Sequence, residues 1–159
     1  MPVLSPEVVE ASKRSVLCWL ATVAPDGSPN VSPKEIFAVH DGDHVVVANI
    51  ASPGTVRNLA HSSKVSLCFV DVFVQKGYKV TGTARNVGAK DEDFPTWAEP
   101  LLAMAGPRFP IRSVIVIRAL GVEPILAPSY RLYPAETTEQ SQAAAAMRTY
   151  GVTKSTRDA

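Results

Sequence analysis

The sequence predicts a mainly β protein with flanking helices, built as a six-stranded antiparallel barrel. Two observations predict it. Short apolar segments recur between compact turn signals, of which Pro25-Asp26-Gly27 and His40-Asp41-Gly42-Asp43 are the clearest. Helical segments interrupt the strands without a regular rhythm, whereas a doubly wound parallel sheet needs a helix after nearly every strand. With 159 residues the chain reads as one domain over 1–159, large enough to bury roughly two thirds of its unfolded surface.

Each element has a local reason. Ser5-Pro6-Glu7 starts a helix that runs to about Arg14, with Val8, Val9 and Ser12 facing inward. Val16 to Ala24 reads as the first strand, and Asn30 to Val39 as its hairpin partner, carrying Val31, Ile36, Phe37 and Val39. His44 to Asn49 is the third strand, and the helix from Ser52 ends near His61-Ser62-Ser63. Lys64 to Val70 and Tyr78 to Val87 are the fourth and fifth strands, with Gly82 at a bend or a close backbone approach. A helix is expected over Asp91 to Met104, interrupted by Pro95 and Pro100. Ser113 to Leu120 is the sixth strand, and its uniform Val114-Ile115-Val116-Ile117 run predicts burial on both faces. Beyond Pro124 the chain is irregular, then helical from Glu136 to Tyr150, where Gly151 stops it; the polar residues that follow are expected to be mobile.

The formal net charge is +1, so no basic field argues for nucleic acid or an anionic membrane. No apolar run approaches the ~20 residues that span a bilayer, and Met1 to Glu7 lacks the basic flank and apolar core of a signal peptide. The expectation is a cytoplasmic protein. Cys18 and Cys68 each sit inside an apolar run, at a spacing that fits no metal or thiol-redox motif, and read as small core hydrophobes.

The most informative segment is Ala48-Asn49-Ile50-Ala51-Ser52-Pro53-Gly54-Thr55-Val56-Arg57-Asn58-Leu59. An apolar strand, Val45 to Ala48, runs through a short polar turn directly into a helix start. Ser52 suits the N-cap and Pro53 the first helical position. Free N–H groups at a helix start attract phosphate, and here hydroxyls and an arginine follow within about one turn. A second polar insert, Pro29-Asn30-Val31-Ser32-Pro33-Lys34, lies on the strand upstream. If the two strands are neighbours, Ser32 and Lys34 come close to the helix mouth, a place for a phosphorylated cofactor. The plainer alternative is that Ser52-Pro53 only starts a surface helix.

With these segments placed, the chain resembles the pyridoxamine 5′-phosphate oxidase-like flavin-binding split-barrel family over about residues 14 to 120. Four features carry the resemblance, in order along the chain. Ala21 to Pro33 resembles the family's opening hairpin, and an apolar strand then enters Ser52-Pro53-Gly54-Thr55-Val56-Arg57-Asn58-Leu59. Ser63-Lys64-Val65-Ser66-Leu67 follows in the place of the next strand, and Tyr78-Lys79-Val80-Thr81-Gly82-Thr83-Ala84 resembles the glycine-containing fifth strand. The resemblance implies a six-stranded antiparallel split β-barrel, a homodimer, and FMN held at the subunit interface. It implies that Ser52, Thr55, Arg57 and Asn58 surround the FMN phosphate. Asn30, Val31, Ser32, Pro33 and Lys34 would run along the ribityl chain and the ring edge, with Ala48 and Asn49 beneath the ring. The true oxidases carry an arginine-lysine pair where this chain has Gly54-Thr55 and a glutamine where it has Gly77, and their C-terminal arginine-x-histidine motif has no counterpart. Arg131-Leu132-Tyr133-Pro134 matches their terminal motif only superficially. The chain therefore reads as a divergent member, not as a pyridoxamine phosphate oxidase.

Other constellations carry less. His40, His44 and His61 with Asp41 and Asp43 lack a recurrent metal-ligand spacing, and no nucleophile elbow supports hydrolysis. Trp19 reads as core, Trp97 as the anchor of its own helix, Arg112 as a solvated strand end. Tyr130, Arg131 and Tyr133 read as a tail packed on the barrel. The function expected is an FMN-dependent oxidoreductase acting on a small substrate, with the flavin supplying the chemistry. The alternatives are a non-catalytic flavin carrier, electron-transfer or stress-sensing module, and a split barrel for another phosphorylated ligand, such as a deazaflavin or pyridoxal phosphate.

Overall fold

The computed structural model describes residues 1–155; the expected mobility of the chain end lies, for residues 156–159, outside the described residues. In chain order the elements are α1 (Pro6–Arg14), β1 (Cys18–Val23), β2 (Pro29–Lys34), β3 (Phe37–Val39), β4 (His44–Asn49), α2 (Pro53–His61), β5 (Lys64–Asp71), β6 (Lys76–Gly88), α3 (Phe94–Ala105), β7 (Ser113–Leu126), α4 (Ser129–Leu132) and α5 (Glu139–Tyr150). The strands form one antiparallel seven-stranded sheet in the order β2-β1-β5-β6-β7-β4-β3.

The seventh strand comes from a break inside the segment expected as one strand over Asn30 to Val39. β2 ends at Lys34 and β3 begins at Phe37, and these two strands lie at opposite edges of the sheet. Only Glu35 and Ile36 join them. Three Cα steps reach at most about 11 Å, so the two edges must approach that closely and the sheet must curl into a nearly closed barrel. Ile36 seals the gap further by accepting a hydrogen bond from the Ala48 N–H at 2.9 Å. Pro29 and Pro33 are tolerated because β2 is an edge strand.

Alternation along the strands fills the barrel. Cys18 and Leu20 of β1, Leu67 and Phe69 of β5, and Ile115 and Ile117 of β7 point inward, and α1 plugs the interior with Val8 and Ala11. Val9, expected inward, is only half-buried, and Ala11 takes its place. The Cys18 thiol is pushed up to about 12 by burial, as an inert core group. Trp19 and Cys68 are corrections: they pair across β1 and β5 on the outer face, where Trp19 is 46% exposed and Cys68 half-buried. Strand periodicity forces this, because the inward places are already held by Cys18, Leu20, Leu67 and Phe69.

A second apolar cluster lies outside the barrel, where Ala98 and Leu101 of α3 cover Val46, Ala48, Val87, Val114 and Val116. The Val114 to Ile117 run is thereby buried on both faces, as its composition predicts. α3 begins at Phe94, with Pro95 in its first turn and Pro100 inside it. β7 runs six residues past the expected Leu120, to Leu126, pairing with the first half of a long β6. Their register slips between Thr81 and Gly82, leaving Leu120 bulged out and 64% exposed. α5 starts at Glu139, three residues later than expected, behind a Thr138–Ser141 capping box, and the short α4 before it was not foreseen.

Gly82 allows the slip. A Cβ there would sit 2.0 Å from the Arg118 carbonyl oxygen, a contact that only backbone displacement relieves. Gly82→Ala is expected to cost about 1–3 kcal/mol, seen as a lower urea midpoint. An unchanged midpoint would show that β6 and β7 do not approach this closely.

Candidate functional site

The junction between β4 and α2 carries the site. Ser52 occupies the N-cap position of α2, but its side chain accepts no capping bond from the helix. The expected hydroxyl cap is absent because the Ser52 hydroxyl is engaged elsewhere: it accepts a hydrogen bond from the Lys34 ammonium. The Ser52 N–H is held instead by the Asn49 side-chain oxygen, at 3.1 Å. The opening turn of α2 contains no acidic side chain.

Lys34 is the unusual group here. The residue is 7% exposed, and among the described residues it is in no ion pair. Desolvation by burial holds its ammonium below the ordinary lysine value. Its inward orientation follows from register, since Lys34 pairs with Cys18 and Ser32 with Leu20, both core residues. The neighbour relation anticipated from the sequence is corrected: β2 pairs with β1, and of the segment expected as one strand it is β3 that pairs with β4. Lys34 and Ser32 reach α2 across the seam of the curled sheet rather than along a ladder.

Behind this contact a polar seam ties α2 to the barrel. Thr55 is buried, with its hydroxyl 3.4 Å from that of Ser32. Asn58 is buried too and donates to the Thr22 hydroxyl at 2.9 Å, while Asn30 donates to the same oxygen at 3.4 Å. Arg57 is exposed and lies over the first turn, its Nη2 3.8 Å from where a Gly54 Cβ would stand. Asn49, whose Oδ1 holds the Ser52 N–H, donates through Nδ2 to Ser113, which in turn donates to Asn86 at 2.7 Å. Val31 and Pro33 face outward on β2.

An open cleft of about 490 Å³ lies against Lys34 and Ser52, within the size range of cofactor sites. Its walls are mostly apolar: Trp19, Pro33, Ile36, Ala48, Ile50 and Phe109. Glu35 is the one carboxylate among its lining residues. Of the residues expected at a cofactor, the structure brings Pro33, Lys34, Ala48 and Ser52 to the cleft; Asn30, Ser32, Thr55 and Asn58 form the seam behind it. Trp19, Ile36, Ile50 and Phe109 went unrecognised in the sequence. For Trp19 the signal was strand alternation beside Cys18 and Leu20. Phe109 follows α3, and nothing local marks it. Arg112 lies at an exposed strand start, as expected; of the tail expected to pack on the barrel, Tyr130 does so by donating to the Val74 carbonyl at 2.8 Å, whereas Arg131 and Tyr133 are exposed.

Fold and cleft together define a split-barrel protein with a buried lysine at the junction between a strand and a helix. Residues 4–125 match the family model described as Pyridoxamine 5'-phosphate oxidase, and the chain belongs to that family. No curated protein matches it. Among solved structures it is similar to a putative pyridoxamine 5'-phosphate oxidase from Lactobacillus delbrueckii (28% identity, TM-score 0.63, covering 77% of this chain and 95% of that one). An FMN-binding protein from Syntrophomonas wolfei is similar in fold at 16% identity (TM-score 0.63, 76% and 88%). So is HutZ, the heme storage protein of Vibrio cholerae, at 22% identity (TM-score 0.57, 76% and 93%). Proteins of this fold thus include an FMN-binding protein, an F420 reductase and a heme storage protein; heme was not among the ligands the sequence suggested. No helix among the described residues is long and apolar enough to cross a membrane.

Two outcomes follow for the ligand-free protein. Because burial lowers the Lys34 value, the folded state binds the proton less well than the unfolded chain, and the charge costs stability wherever both states carry it. Lys34→Met is expected to raise the stability of the ligand-free protein at neutral pH, on the order of 1 kcal/mol. The gain should shrink as pH rises toward the ordinary lysine value of 10.5. Thermal denaturation across that range checks both; a destabilised variant at neutral pH contradicts the reading. Thr22→Val leaves the buried Asn58 amide without its acceptor and should cost about 1–3 kcal/mol by urea denaturation.

Proposed function

We propose that the cleft binds FMN and that the protein is a flavin-dependent oxidoreductase acting on a small substrate. One observation carries this reading: a buried ammonium with no carboxylate partner among the described residues, hydrogen-bonded to a hydroxyl at the start of a helix, facing an apolar cleft. A desolvated cation without a counter-ion is costly, and a phosphate dianion offsets that cost directly. The residues fit the group. Lys34, Ser52 and the first N–H groups of α2 would hold the phosphate, with Arg57 over the same turn. Trp19, Ala48, Ile50 and Phe109 supply apolar surface for a flat ring, and the seam of Ser32, Thr55, Asn58 and Thr22 fixes α2 in place.

FMN bound there would supply the hydride or electron-pair chemistry. The chain's own part is to bind, orient and exclude water. The lining offers only Lys34 and Glu35 as titratable groups, and Lys34 is committed to the anion. A second copy of the chain would close the open side, as the exposed Trp19 and Val31 on the outer face of β1 and β2 suggest. The flavin reading is favoured over heme because no imidazole, thiol or thioether is found among the cleft's lining residues to serve as an axial ligand.

Titration with FMN and with riboflavin tests the reading. FMN should bind more tightly, and Lys34→Met should weaken FMN about ten- to hundred-fold while leaving riboflavin unchanged. Equal loss for both flavins, or binding of neither, overturns it. Stopped-flow reduction of the loaded protein by NADPH or NADH, followed by reoxidation with small acceptors, separates an enzyme from a carrier. Electron transfer to oxygen alone, at a slow rate, would mark the carrier.

A further inference from the structure

A second cavity, of about 340 Å³, opens on the same outer face at the far end of β4. Its lining includes His44 on that strand, whereas the cofactor cleft includes Ala48. Four residues of strand separate the two by roughly 14 Å. The register explains the lining. His44 pairs with Arg118 of β7, Arg118 with Thr83 of β6, and Arg85 follows Thr83 on the same face. The link between α2 and β5 adds Ser63, and α3 contributes the indole of Trp97 as a wall.

The polar groups here are unevenly paired. Asp93 accepts from both Arg85 and the Trp97 indole N–H, the latter at 2.9 Å, which fixes the indole plane. The Arg85 bond holds the Asp93 carboxyl below its usual range, and the Trp97 bond adds to this. The Arg85 guanidinium lies 5.8 Å from the Trp97 ring centroid. His44 is oriented through Nδ1 by Asp41 at 2.9 Å, and its ring lies 5.1 Å from that of Trp97. Both nearby carboxylates are thus spent, and neither is a lining residue of the cavity. Arg118 does line it and is in no ion pair among the described residues.

We propose that this cavity is a binding site for a small aromatic carboxylate, with the carboxylate on the fork of Arg118 and the ring against Trp97. A guanidinium with no partner carboxylate presents parallel donors that match a carboxylate, and a fixed indole offers a flat face to an aryl group. The Ser63 and Thr83 hydroxyls supply further donors on the same wall. The site stands on residues separate from the cofactor cleft and does not depend on the flavin reading.

The test uses the intact protein and 2-naphthoate, read by the two tryptophan indole N–H signals in nitrogen–proton correlation spectra, with Trp97→Phe assigning them. Saturable shifts of the Trp97 signal by 2-naphthoate, at least ten-fold weaker with Arg118→Gln, are expected. The uncharged 2-naphthol should bind at least ten-fold more weakly to the unaltered protein, a comparison that stands whether or not the variant folds. The proposal is overturned by 2-naphthol binding equally well, by an unchanged affinity in Arg118→Gln, or by shifts confined to Trp19.

Discussion

The Lys34 ammonium sits where the two edges of a curled sheet nearly meet, withdrawn from water and hydrogen-bonded to the Ser52 hydroxyl. That placement organises the site around it. β2 must end there, since the chain has only Glu35 and Ile36 with which to cross to the opposite edge. The start of α2 must face the same point, because Ser52 gives its oxygen to the lysine instead of capping its own helix. A protein selected for stability alone would fill such a position with an apolar side chain. Retaining a buried cation is a local conflict that a bound anion resolves, and local conflicts of this kind concentrate at functional sites.

Two helices on different faces of the sheet keep this junction in order. α2 is pinned by the amide of Asn58 on the Thr22 hydroxyl and by the Ser32–Thr55 contact, a buried polar seam with its side-chain groups satisfied. α3 covers the outer apolar cluster, and Phe109, beyond its C-terminus, lines the cleft beside Lys34. Trp97, near the start of the same helix, lines the second cavity. α3 and the segment that follows it therefore border the two cavities, one each, and β4 presents His44 to one and Ala48 to the other.

Much of the architecture was legible in the chain. Turn chemistry at Pro25-Asp26-Gly27 and Asp41-Gly42-Asp43 marked the hairpins, and the Val114 to Ile117 run disclosed a strand buried on both faces. The break at Glu35-Ile36 was not legible, because the whole segment from Asn30 to Val39 has strand-like composition and only closure of the sheet forces the crossing. Trp19 was misplaced for the opposite reason: its apolar character suggested core, while period-two alternation, also present in the sequence, put it outside. Ser52, Thr55 and Asn58 were recognised as one cluster. Their division into a cleft residue and two seam residues depends on partners from β1 and β2 that no local pattern reveals. The second cavity draws on five separate segments, so it becomes visible only when register brings His44, Arg118 and Thr83 into one row.

A crystal structure of the protein grown with FMN tests the central claim most directly. The account predicts phosphate oxygens within hydrogen-bonding distance of the Lys34 ammonium and the Ser52 hydroxyl. A phosphate bound elsewhere, with Lys34 still resting on Ser52 alone, would contradict it.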